Sequence, residues 1–238
     1  VIDVIVLTVD HTNLVPLEDS LADIKHRTIL VNNVGSATEG WIMEINGDVM
    51  IQGGRHLNYS QSLNLAMKHR RSDRRVLFIS DDARPRPGAL KAMLAHDDPF
   101  VSTINVSSDG TVNHAGMYFA DDKWPMHVGR QEPLETWGAP CTHYDCATFA
   151  CTLVNPDVLD SVGDFDETYN WSHEEVDYML RARELGFGRP LVCSDAIIDH
   201  DEHGVSDTPR QFRQNVFHYN EKWITSGRLE RLWQPQPN

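Results

Sequence analysis

No apolar run in this sequence approaches the ~20 residues that a membrane helix needs. Nor does Val1 open a basic segment leading into an apolar stretch, so a soluble, cytoplasmic protein is expected. Positive charge is scarce: 21 Lys+Arg stand against 35 Asp+Glu, a formal net charge of −14. Such a surface repels phosphates on average, and a phosphate-bearing ligand therefore needs a cation at its site. There is no C-x-x-C pair among the four cysteines (Cys141, Cys146, Cys151 and Cys193), which are expected as reduced, buried thiols rather than a disulfide frame or a metal knuckle. The chain also lacks internal repeats, low-complexity tracts and Gly/Ser linkers along which it could be divided.

What is present suits a packed core. Hydrophobic residues make up 40% of the chain and charged residues 24%. At ~100–200 residues per domain, the 238 residues are expected to form one large α/β domain spanning 1–238. Three short, β-branched, nearly continuous apolar runs, IDVIVLT at 2–8, TILVN at 28–32 and VLFIS at 76–80, suit strands covered on both faces. Helical spacing appears between them at 17–24 and at 58–69, where Leu63, Ala66 and Met67 share one face. This alternation implies right-handed βαβ crossovers and a doubly wound sheet, whose ligands gather beyond the carboxyl ends of the strands. Residues 96–145 are turn-rich and unassigned. Beyond them, 147–154 and 191–198 read as strands, and 170–186 as a helix with Ser172 as N-cap and Gly186 just past its end.

Three constellations fall at or beside strand ends. Ser80-Asp81-Asp82 closes the VLFIS run; two adjacent carboxylates there suit either a divalent ion such as Mg²⁺ or Mn²⁺, or an Asp-rich turn. His200, in DHDEHG, is either a metal ligand or a polar loop residue, and His200 with His203 raises zinc without the cysteines that usually accompany it. In SHEEVD, Ser172 and Glu175 have capping-box spacing and Asp177 can pair with Arg181, yet a glutamate there could equally serve as a general base. The basic run at 68–75 reads as a solvated helix C-terminus or as a docking patch for nucleic acid.

Taken in order, these segments resemble a family-2 glycosyltransferase of the GT-A fold, of bacterial or phage type. The resemblance is dense from Val4 to about Ser206, and rests on IVLTVD, ILVNNVGS, the SQSLNLAMKHRRSDRRVLFISDD stretch, DGTVNHAGMYF and the block from ATFACTLV to AIIDH with its GDFDE and HEEVD segments. It implies an α/β, Rossmann-like, doubly wound, mostly parallel sheet with helices on both faces. Residues 1–95 would form the nucleotide-sugar and metal half, 96–206 the acceptor half and 207–238 a C-terminal packing tail. The implied activity is inverting, divalent-metal-dependent transfer of a sugar from a nucleotide-diphosphate sugar to an acceptor hydroxyl, with Mn²⁺ or Mg²⁺ as cofactor.

The implied residue roles follow the motifs. Asp82 and His200 fall on the metal ligands. Glu175 falls on the catalytic base with Glu174 supporting it. Thr8, Asp10, Asn32, Asn33, Asn64, Ser80 and Asp81 fall on the nucleotide-sugar side, and Trp171 and His173 on the acceptor side. Ser80 stands where the family commonly has Asp, and Asn32 where an Asp often reads the base. Trp124 and Trp137 are further candidates for stacking on a sugar. Other readings are transfer to a modified DNA base or a protein, an inactive sugar-nucleotide-binding module, and a metal-dependent hydrolase; nucleic acid enters only as an acceptor.

Overall fold

A computed structural model describes residues 1–33, 41–52, 57–170, 172–201 and 209–232. The chain opens with β1 (Ile2–Thr8), α1 (Leu14–Leu21) and β2 (His26–Asn32), followed by a hairpin of β3 (Trp41–Ile45) and β4 (Asp48–Gln52). Next come α2 (Tyr59–Met67), β5 (Val76–Ser80), the two-residue strand β6 (Arg84–Pro85), α3 (Ala89–Leu94) and β7 (Phe100–Val106). Four short strands cross the middle: β8 (Val112–His114), β9 (Met117–Phe119), β10 (Pro125–His127) and β11 (Thr142–His143). The last part holds β12 (Cys151–Val154), α4 (Pro156–Val162), α5 (Glu174–Glu184), β13 (Leu191–Asp199), α6 (Pro209–Tyr219), a π-helical turn at Asn220–Thr225 and α7 (Arg228–Leu232).

One mixed sheet organises these elements in the order β11-β13-β7-β12-β5-β1-β2-β4-β3, with β6 paired to β13 and β8 to β7. Strands β13, β7, β5, β1, β2 and β4 run in one direction, whereas β12, reversed between β5 and β7, pairs antiparallel with both. Alternation along β1 explains the two-sided burial. Ile5 joins the cluster under α2, α4 and α5, while Val4 and Val6 join the cluster under α1 and α3. Helices therefore cover both faces, as the apolar runs required.

The predicted strands at 2–8 and 76–80 match the observed bounds, and α2 begins at a true capping box, Asn58 with Gln61. Strand β12 is shorter than the predicted 147–154 because Phe149–Ala150 turns before pairing starts. The β3/β4 hairpin and β7 went unread in the sequence. No helix among the described residues is long and apolar enough to cross a membrane.

The basic run at 68–75 folds inward. Asp3, fully buried, accepts from Arg27 Nη2 at 3.1 Å, the Arg71 N–H at 2.6 Å and Arg74 Nη1 at 3.2 Å, while Arg70 pairs with Asp160. A buried carboxylate needs such partners, and they commit the Arg70 and Arg74 side chains to the fold, while Lys68 and Arg71 stay exposed.

Candidate active site

The short strand β6 makes the site. It pairs antiparallel with the end of β13, Pro85 opposite Ile198 and Arg84 opposite Asp199, so the residues flanking this two-residue ladder face each other. His200 Nε2 and Asp82 Oδ1 lie 3.2 Å apart, and the His200 N–H donates to the Val106 carbonyl at the end of β7. Burial works against the Asp82 carboxylate, but the hydrogen bond and charge of His200, helped by Arg84, hold its pKa below the ordinary value.

Asp81 points the other way. Its Oδ2 accepts from Thr8 Oγ1 at 2.7 Å and from the Val9 N–H at 3.3 Å, and burial raises its pKa despite these bonds. Thr8 thus holds Asp81 against the end of β1. Ser80, Asp81, Asp82 and His200 line one cleft of about 350 Å³ with Asn33, Glu174 and Glu175. On the other side of the Asp82–His200 pair, Arg84, Arg86, Ser107 and Ser108 line a second lobe of about 440 Å³. The pair therefore divides an acidic cleft from a lobe in which Arg84 and Arg86 stand beside Asp199 and Asp201.

The capping box at Ser172 is a correction. Helix α5 starts at Glu174 with His173 as its N-cap in the left-handed region (φ 70°), which places Glu175 at the second helical position rather than the third. Ser172 Oγ accepts instead from Asn215 Nδ2 at 2.8 Å. Freed from capping, Glu175 lines the cleft, and burial, outweighing a backbone hydrogen bond, raises its carboxyl pKa from 4.5 to about 7. A carboxyl titrating near neutrality in a cleft has the property a general base needs.

The remaining predicted residues sort by what they touch. The Asn33 Nδ2 group donates to Ser62 at 2.8 Å, and its buried Oδ1 has no hydrogen-bond partner among the described residues. Asn32 Nδ2 donates to Gln52 Oε1 at 2.7 Å, and its Oδ1 lies 2.9 Å from His11 Nε2. Asp10, exposed, caps a short turn through the Thr12 N–H rather than lining the cleft. Asn64 departs furthest from its implied role. It donates to Phe165 O and Glu167 Oε1, accepts from the Phe165 N–H at 2.7 Å, and so ties α2 to the GDFDE segment. Its amide is used up in the fold.

His173 is likewise withdrawn from the surface. It is 7% exposed and packs against Trp124, Phe212 and Tyr219, and burial lowers its pKa to about 4. Trp124 belongs to that aromatic cluster and Trp137 packs on the core, so neither stands out as a stacking platform. Trp171 and His203 lie outside the described residues. Tyr59 and Thr148 line the cleft without having been singled out. Burial raises the Tyr59 pKa well above 10, and Glu174, Glu175 and Asp82 add to it. The only sequence signal for Tyr59 was its place one turn before the Leu63 stripe.

The acids of the two motifs thus divide by job. Asp177 is fully buried and accepts from Arg181 Nε at 2.8 Å, Trp223 Nε1 at 2.8 Å and Lys222 Nζ at 2.7 Å. Asp166 accepts from Lys222 Nζ and His218 Nε2, bonds that overcome burial and hold its carboxyl far below the usual range. Asp177 anchors the C-terminal segment onto α5 and Asp166 anchors it onto the GDFDE segment, while Glu174 and Glu175 face the cleft.

No family model matches this chain, and no curated protein matches it in sequence. Its fold does match solved glycosyltransferases. The structure of GalNAc-T7 with UDP, GalNAc and Mn²⁺ superposes with a TM-score of 0.69 at 10% identity, covering 94% of this chain and 49% of that one. The catalytic domain of Drosophila β1,4-galactosyltransferase 7, in complex with xylobiose, gives 0.52 at 12% identity over 90% of this chain and 77% of that one. This chain therefore spans about half the length of the GalNAc-T7 chain. At these identities the likeness speaks to fold, and the fold is that of the GT-A glycosyltransferases.

Proposed function

We propose that this chain is an inverting, divalent-metal-dependent glycosyltransferase that moves a sugar from a nucleotide-diphosphate donor to an acceptor hydroxyl. The observation that carries this reading is the meeting of Asp82 and His200, 118 positions apart in sequence, in the cleft that also holds Glu175. The donor set fits Mn²⁺ or Mg²⁺. An octahedral ion with bonds of about 2.1 Å sets neighbouring donors about 3.0 Å apart, close to the 3.2 Å between Asp82 Oδ1 and His200 Nε2. Two protein donors are few, which suits an ion that also takes substrate phosphate oxygens. Asp82 and His200 would hold the ion, whose chemistry there would be Lewis-acid stabilisation of the departing diphosphate.

The protein's own groups do the rest. Arg84, held by the Asp81 and Asn13 carbonyls, places positive charge beside the diphosphate on a chain that is otherwise strongly acidic, while Arg86 is paired with Asp199. Asn33 Oδ1 accepts from a donor hydroxyl, and Asp81, held by Thr8, shapes the floor of the cleft. Glu175 takes the acceptor proton as the acceptor oxygen attacks the anomeric carbon from the face opposite the leaving group. Support for the donor class comes from the fold likeness to a structure that holds UDP and Mn²⁺.

The test is a thermal-shift screen of UDP-, GDP- and dTDP-sugars with and without Mn²⁺. One donor class is expected to raise Tm in a metal-dependent way, since stabilisation grows as RT ln(1 + [L]/Kd). Asp82→Ala and His200→Ala should each abolish the metal-dependent part. Retention of that part by both variants would place the ion elsewhere. The anomeric configuration of the product, read by NMR, then decides inversion.

A further inference from the structure

A second group of ligating side chains lies at the other end of β13 from His200. Cys141, just before β11, and Cys193, the third residue of β13, bring their sulfurs to 3.8 Å, and Cys193 Sγ is 3.6 Å from His96 Nε2. All three donor atoms lie within 4.8 Å of one another. These spacings are far from a disulfide, whose sulfurs sit about 2.05 Å apart. They match two edges of a metal tetrahedron. With metal–sulfur bonds of about 2.3 Å and metal–nitrogen bonds of about 2.0–2.1 Å, tetrahedral angles set two sulfurs about 3.8 Å apart and a sulfur and nitrogen about 3.6 Å apart.

We infer that His96, Cys141 and Cys193 form a Cys₂His site for Zn²⁺, with the fourth position taken by water. Ser194 supports the Cys141 sulfur as a ligand. The Ser194 N–H donates to Cys141 Sγ at 3.3 Å and the Ser194 hydroxyl lies 3.4 Å from it. Such bonds compensate charge on a ligating sulfur. Each cysteine loses its proton to solvent on ligation, so binding releases protons and tightens as pH rises.

Ligand softness keeps the two sites apart. Two sulfurs and an imidazole select Zn²⁺, whereas the carboxylate and phosphate oxygens around Asp82 suit Mn²⁺ or Mg²⁺. The zinc would join three segments at one edge of the sheet: the link from α3 to β7, the lead into β11, and β13 itself. Its role is then that of a staple on the strand that carries His200. This site does not depend on the chain being a transferase.

The test uses the full chain, purified under reducing conditions without chelator. One equivalent of zinc is expected to persist through dialysis. Replacement by Co²⁺ should give a thiolate-to-cobalt charge-transfer band, which Asp82→Ala leaves unchanged and Cys193→Ser or His96→Gln removes or shifts. In the wild-type chain, bound Zn²⁺ should slow alkylation of the half-buried Cys141, with the fully buried Cys146 and Cys151 as unreactive internal references. That comparison needs no variant to fold. Absence of a charge-transfer band, alkylation indifferent to Zn²⁺, or isolation of a Cys141–Cys193 disulfide from reducing lysis would each overturn the site.

Discussion

Replacing Glu175 by Gln is expected to lower kcat by about 10²–10⁴-fold while leaving metal-dependent donor binding intact, because the amide keeps the shape but cannot take the acceptor proton. The wild-type rate should rise through a pKa near 7, the value to which burial lifts this carboxyl, since the ionised form is the base. Stability should move the opposite way. A folded-state pKa raised from 4.5 to about 7 means that the folded chain holds the proton more tightly than the unfolded one. The associated stability is full below pH 4.5 and is lost as pH climbs to about 7. Gln escapes that loss, so the variant should be more stable than wild type at pH 8, by about 1–3 kcal/mol, with the difference closing towards pH 4.5. Steady-state kinetics and Tm measured across pH 4.5–8 check both halves. An active variant with a weakened fold would return Glu175 to a capping role.

The second large effect is structural. Asp177→Ala should destabilise the chain by about 3–5 kcal/mol, because it strips the shared acceptor from Arg181, Lys222 and Trp223 and leaves buried donors unpaired. For a chain of this size that corresponds to a fall in Tm of about 6–20 °C. Since Asp177 sits on the same helix as Glu175, loosening it should also lower transfer activity before global unfolding. Trp223→Phe, which keeps an aromatic ring but loses the indole N–H, should fall between wild type and Asp177→Ala in a thermal melt. A melt unchanged by Asp177→Ala would mean that the tail is held by packing alone.

Much of the frame was legible because its signals are local. Continuous β-branched runs at 2–8 and 76–80 state that both faces are covered, and the shared face of Leu63, Ala66 and Met67 marks α2. The β3/β4 hairpin and the short strands after residue 111 were not legible, since strands this brief take their form from partners elsewhere in the chain. At the site, residue type pointed to carboxylates and an imidazole but not to their orientation. Asp81 and Asp82 are adjacent yet face Thr8 and His200 respectively. Asn64 and His173 have polar side chains suited to ligands, and burial commits both to the fold.

The sequence by itself determined the alternating α/β frame, the strand-end position of Asp81-Asp82 and the acidic charge that makes a bound cation useful, because periodicity, strand ends and net charge are properties of neighbouring residues or of the whole composition. Only the tertiary structure decided that Asp82 meets His200, that Glu175 faces the cleft and that Cys141 meets Cys193 and His96. Those pairings depend on strand order and on the two-residue ladder between β6 and β13, which no local pattern encodes.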